Sequence, residues 1–126
     1  MIIINFAHPL TDHQRNQITH LTGKFISREI TIPTKFDHAH NFSDQIKHLV
    51  DQVALDIKDW QTQPILINPP AFNAITALLL AELHGRMGYF PTIIRLRPIA
   101  GATPPEFECA EIINLQEVRD QARNQR

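Results

Sequence analysis

Two asparagines stand where an apolar run stops and a proline-bearing turn begins. Asn5 closes Met1-Ile2-Ile3-Ile4 and leads into Phe6-Ala7-His8-Pro9, while Asn68 closes Pro64-Ile65-Leu66-Ile67 and leads into Pro69-Pro70. A carboxamide offers both donors and an acceptor, so at a strand end it can serve either a turn or a polar ligand. A proline at the first helical position forfeits only an amide that has no partner inside the helix, and its φ, fixed at about −65°, stiffens the approach. Behind Asn68 this reading puts the amides of Ala71, Phe72 and Asn73 in the first turn of a helix. Such a terminus carries about half a positive charge and suits an anion. The plainer alternative is that Asn68 is an ordinary N-cap followed by two stiffening residues. The repetition of the pattern at Asn5 favours one polar crevice shared by two strand ends.

His8 is the titratable side chain of that crevice able to move a proton near neutrality, with a reference pKa of about 6.5. It could equally hydrogen-bond its own loop, and no carboxylate partner is evident. Arg97, at the end of a later apolar run and two residues beyond Arg95, either meets phosphate or is solvated at a sheet edge. Asp37, His38 and His40 have the residue types of metal ligands, but no further cluster accompanies them and no metal site is expected. Cys109 lies within a strand pattern and reads as core. Arg119, Arg123 and Arg126 read as a solvated helix face. Neither a P-loop nor a Gly-x-Gly-x-x-Gly turn is present, which argues against an ordinary nucleoside triphosphate or dinucleotide site and leaves no cofactor to expect.

The elements that must position these residues follow from periodicity. Met1–Asn5 is wholly apolar, the pattern of a strand covered on both faces. Thr11-Asp12-His13-Gln14 predicts a capping box opening a thinly apolar surface helix to about Leu21, stopped by Gly23. Phe25–Ile32 alternates as a second strand. The polar Thr34–Asn41 segment reads as a loop. Phe42, Ile46, Leu49, Val50 and Val53 mark one face of an amphipathic helix, begun by Asn41 or Ser43 and predicted to end before Trp60. Pro64–Ile67 is a third strand, followed by a helix from Phe72 to about His84 that is apolar nearly all round and is stopped by Gly85 and Gly88. Pro91–Ile99 and Phe107–Leu115 are the last strands, joined by the Pro98–Pro105 loop, and Gln116–Arg126 is a polar helix or a frayed end. The order β-α-β-α-β-α-β-β-α predicts a single Rossmann-like α/β domain: about five strands, mostly parallel, helices on both faces, and an antiparallel hairpin from the last two strands.

The totals bound the function. The chain has 126 residues, 43% hydrophobic and 20% charged, the make-up of one globular domain with a core. Twelve basic and thirteen acidic residues leave a formal charge of −1, which argues against duplex DNA binding by massed positive charge. One cysteine excludes an internal disulfide and suits a reducing compartment. No apolar run has the length to span a bilayer. A cytoplasmic protein without a membrane partner is the expectation.

Four stretches add a resemblance: MIIINFAHPLT at the start, LINPP in the centre, ALLLAELHGRMGYFPTIIRLRPI after it, and AEIINLQEVRD near the end. In this order, over nearly the whole chain, they resemble the Csx-fifteen family of small CRISPR-associated accessory proteins found with type III systems. The family's Asn-Phe-x-His-Pro-Leu falls on Asn5, Phe6, His8, Pro9 and Leu10, and its Ile-Asn-Pro-Pro on Ile67, Asn68, Pro69 and Pro70. The resemblance implies a Rossmann-like homodimer that binds a cyclic oligoadenylate, foremost cyclic tetra-adenylate, with further assembly on binding left open. Taken together, the strand-end reading and the resemblance give the expected ligand-binding set Asn5, Phe6, Ala7, His8, Asn68, Pro69, Pro70, Asn73 and Arg97. Helix starts and Arg97 would serve phosphates and the asparagines adenine edges; His8 is the candidate catalytic group. Sequestration of the messenger is the favoured activity. A metal-independent ring nuclease is the alternative, and a scaffold protein without a ligand is the third.

Overall fold

The computed structural model describes residues 1–126. The strands are β1 (Ile2–Asn5), β2 (Arg28–Thr31), β3 (Ile65–Asn68), β4 (Thr92–Pro98) and β5 (Phe107–Asn114), in the sheet order β2-β1-β3-β4-β5. β1 pairs in parallel with β2 and β3, β3 with β4, and only β4–β5 is antiparallel. This is the Rossmann-like α/β sheet with a terminal hairpin that the alternation predicts. β1 and β3 are buried along their whole length, which is why both read as unbroken apolar runs.

Successive residues of these strands point to opposite faces, and each face has its own core. Ile2, Ile4, Ile65 and Ile67 pack under helices α2 (Phe42–Asp51), α3 (Ile57–Thr62) and α4 (Asn73–Met87), with Trp60, Leu79 and Leu83. Ile3 and Leu66 face the other way, toward Ile18 of α1 (Asp12–Thr22) and toward Ile94 and Cys109 of the hairpin. The chain leaves β1 onto one face and β3 onto the other. Strand order therefore reverses between two neighbours, and a crevice opens at their carboxyl ends.

α1 starts in the predicted box, Thr11 Oγ1 accepting from the Gln14 amide at 3.1 Å and Gln14 Oε1 from the Thr11 amide at 2.9 Å. Gly23 ends it in the left-handed region, φ 66°, where a Cβ is costly. It is more than a surface helix. Gln14 Nε2 donates to the Phe107 carbonyl at 2.9 Å, and the Cys109 amide donates to Gln17 Oε1 at 2.7 Å. Two side-chain amides thus pair the otherwise open edge of β5, and the hairpin is drawn toward α1. An edge covered in this way offers less template for another strand.

Three boundaries differ from expectation. The helix predicted to run from Phe42 toward Trp60 is two helices. The ladder tightens after Asp51, with Val53 bonding to Val50 and Ala54 to Asp51. Ala54 then turns to φ 58°, and Asp56 caps α3 by accepting from the Asp59 amide at 2.7 Å. Val53 and Trp60 lie in the same core on either side of the break. In α4 the chain continues through Gly85 and stops only at Gly88, φ 84°. Nor is α4 buried all round: Ile75, Leu79, Leu83 and Met87 form its buried stripe, and Ala74, Ala77 and Ala81 face outward. The second strand is shorter than its alternating pattern, because Phe25 lies exposed in the lead-in loop.

Candidate functional site

Asn5 and Asn68 are register partners across β1 and β3. The Asn68 Nδ2 donates to Asn5 Oδ1 at 3.0 Å, the Ala7 amide donates to the same oxygen at 2.9 Å, and Asn5 Nδ2 donates to the His8 carbonyl at 2.9 Å. Asn5 is 0% and Asn68 3% exposed. The two strand ends do lie side by side, as the repeated pattern predicts. Their amides, however, are turned into the fold, and Asn5 is fully engaged in holding the Phe6–His8 turn. Neither asparagine lines the cavity above; Asn5 braces the turn beneath the crevice, and Asn68 props Asn5 through its one side-chain bond.

Above the brace is a cavity of about 700 Å³. Ala7, His8 and Pro9 of the β1–α1 loop form one side, with Thr11, His13 and Gln14 of α1. Ala71 of the β3–α4 loop stands opposite, and Leu96, Ile99, Pro105, Glu106 and Phe107 of the hairpin close the rest. The walls are mainly apolar, with His8, His13 and Glu106 as exposed titratable groups. This is the make-up of a small-molecule site, an apolar concavity with a few polar groups.

The other sequence-predicted residues divide. Ala7 and His8 line the cavity. Phe6 is only 2% exposed and belongs to the core under α2–α4, its amide bonded to the Asn68 carbonyl and its carbonyl to Thr34 Oγ1. Pro69 and Pro70 do not open α4. The helix begins at Asn73, and the prolines stiffen the loop before it, with the Pro70 carbonyl accepting from Thr76 Oγ1 at 2.8 Å. Asn73 is exposed, its Oδ1 bonded to the Ala74 amide. Arg97 lies outside the cavity. It pairs with Glu108 at 2.8 Å across the hairpin and borders a separate groove of about 440 Å³ with His13, Gln17 and His20. Its partner neutralises it, as Glu111 does Arg95 at 3.2 Å. No group of three or more His, Cys, Asp or Glu side chains is placed to hold a metal ion; His40 pairs instead with Asp37 at 3.4 Å.

One electrostatic feature favours an anion beside the cavity. The N-cap of α4 is Phe72, which makes no side-chain bond, and no acidic residue stands in the first turn. Beyond the Asn73 Oδ1 on the Ala74 amide, the positive pole of this fifteen-residue helix has no side-chain charge against it. α1, by contrast, has its capping box and Asp12. The hairpin residues escape a reading of the sequence alone, because only the packing of β4–β5 against α1 brings them to the strand ends; His13 and Gln14 stand in the first turn of α1, beside the β1 end. Gln14 had a visible signal, but for a cap. Compared with family models, with curated proteins and with solved structures, the chain has no match.

Proposed function

We propose that this protein binds a cyclic oligoadenylate, foremost cyclic tetra-adenylate, and lowers its free concentration by sequestering it in the cytoplasm. The observation that supports this most is the 700 Å³ cavity at the β1–β3 switch point, framed by the Asn5–Pro9 and Asn68–Phe72 turns that also carry the sequence resemblance. The uncompensated start of α4 beside the cavity suits phosphate, and His8 and His13 supply ring nitrogens against the one carboxylate of the lining, Glu106. A cyclic tetranucleotide can adopt twofold symmetry, so two copies of the cavity in a homodimer could share it. The cavity keeps Ala7 and His8 of the set expected from sequence and adds His13 and Ala71, while Asn5, Phe6, Asn68, Pro69, Pro70, Asn73 and Arg97 do not line it.

A second reading has its own support. His13 joins His8 in the cavity, giving the pair of proton-transfer groups that cleavage would use. One would take the proton of a ribose 2′-hydroxyl as that oxygen attacks its neighbouring phosphorus. The other would protonate the departing 5′-oxygen, leaving a 2′,3′-cyclic phosphate.

Calorimetry with rings of three, four and six adenylates tests binding. Micromolar affinity greatest for the ring of four is expected, and no heat with any ring would leave a scaffold role. Incubation of labelled ring with excess protein and EDTA then separates the activities. Intact ring after hours supports sequestration. Linear product that disappears in His8→Ala and His13→Ala supports the nuclease.

A further inference from the structure

We propose that Phe72 and His38 form a stacking surface for a purine base, on the far side of the β3–α4 loop from the cavity; this rests on the reading that the cavity takes an adenine nucleotide. Phe72 is 57% exposed at the N-cap of α4, a position where Ser, Thr, Asn or Asp would serve the helix better. Its ring does not stand alone. His38 packs against it with centroids 5.8 Å apart and planes at 60°, and against Phe42 at 5.4 Å and 80°. Phe36 meets Phe42 at 5.1 Å and 82°. Phe36 and Phe42 rest on the hydrophobic core, so the row is anchored at one end and open at the other.

The loop that carries His38 is pinned. The Asp37 amide donates to Gln45 Oε1 at 2.7 Å, Gln45 Nε2 donates to the Asp37 carbonyl at 2.9 Å, and the Ala39 amide donates to Asp37 Oδ1 at 2.9 Å. Ordering these rings on binding therefore costs little. All the contacts of His38 are edge-to-face, which leaves flat π-surface free for a base. Ala71 lines the cavity and Phe72 is the next residue. A nucleotide with its phosphate beside the start of α4 would lay its base over this loop.

Titration of 2-aminopurine riboside 5′-monophosphate tests the surface directly, because that base loses fluorescence when stacked. Quenching by the wild type is expected, weakened about 10-fold or more in Phe72→Ala and restored in Phe72→Tyr. Ribose 5-phosphate, which has no base, should compete equally weakly with both proteins. The same variants are titrated with cyclic tetra-adenylate. Quenching that depends on Phe72 in a protein that ignores the ring supports the surface and removes the cyclic ligand. Equal affinity of wild type and Phe72→Ala for both probes overturns the surface and leaves ring binding standing. No quenching by the wild type overturns it as well. So does a ligand-free dimer that Phe72→Ala dissolves, because the rings then belong to a second copy. The exposure of Phe72 predicts an unchanged melting temperature, so lost binding would not reflect lost fold.

Discussion

Asn5 is a buried polar side chain whose every hydrogen bond is internal, and its neighbours depend on it. Asn5→Ala would strand the Ala7 amide, the His8 carbonyl and the Asn68 amide together. Unpaired buried groups cost about 1–3 kcal/mol each, and partial access of water to the turn limits the sum. We expect a loss of about 2–4 kcal/mol in urea unfolding. Asn68→Ala removes one bond and leaves Asn5 Oδ1 paired with Ala7, so a loss of about 1 kcal/mol is expected. An equal cost for both would refute the larger share assigned to Asn5, which makes three of these bonds against one for Asn68. At the same scale, burial raises the Cys109 thiol above its ordinary pKa, only partly offset by the Glu111 backbone and Arg95. The unfolded chain releases this proton first, at a pH of about 8.5. Stability due to this group is intact below that pH and declines as pH rises through and beyond it. Cys109→Ala should flatten the alkaline limb of a stability–pH curve, and the native thiol should resist thiol reagents at pH 8.

At the scale of elements, the least expected contribution is that of α1. Its Gln14 closes the capping box with one end of its amide and the β5 edge with the other. Gln14→Ala removes both and should cost about 1–3 kcal/mol. Gln14→Glu retains an acceptor for the Thr11 amide but has no donor for Phe107. It should fall between the two in thermal melts, with hydrogen exchange accelerated in β5 rather than in α1. Loss confined to α1 would show that the edge bond is incidental. The break between α2 and α3 illustrates how tertiary packing overrides a local pattern. Phe42 to Val53 reads as one helical face, yet the chain turns at Ala54 to positive φ and starts again before Trp60, which is buried in the same core. Asp56 before Asp59 was the visible sign of a new start.

At the scale of the molecule, two cores on opposite faces of one sheet fix where a ligand can sit, since β1 and β3 send their helices to different sides. The cavity and the aromatic row then lie on either flank of a single loop. A ligand bridging them would touch both layers and should protect amides of the β1–α1 and β3–α4 loops together in hydrogen exchange.

Residue order was enough to determine the number and succession of strands, the α1 capping box and the apolar β1 and β3, and its repeated pattern pointed to the pairing of Asn5 with Asn68 that the sheet order shows. These depend on short-range periodicity and on the right-handed crossover, both written locally. What only the tertiary structure decided was the direction of the two amides, the pairing of Arg97 with Glu108, and the company of His8. Each turns on how neighbouring strands, turns and helices pack: β1 against β3 for the amides, β4 against β5 for Arg97, and the hairpin and α1 around the β1–α1 loop for His8. A side chain's type is local, but whether it faces a ligand or a neighbour depends on the packing around it, and that is a property of the whole fold.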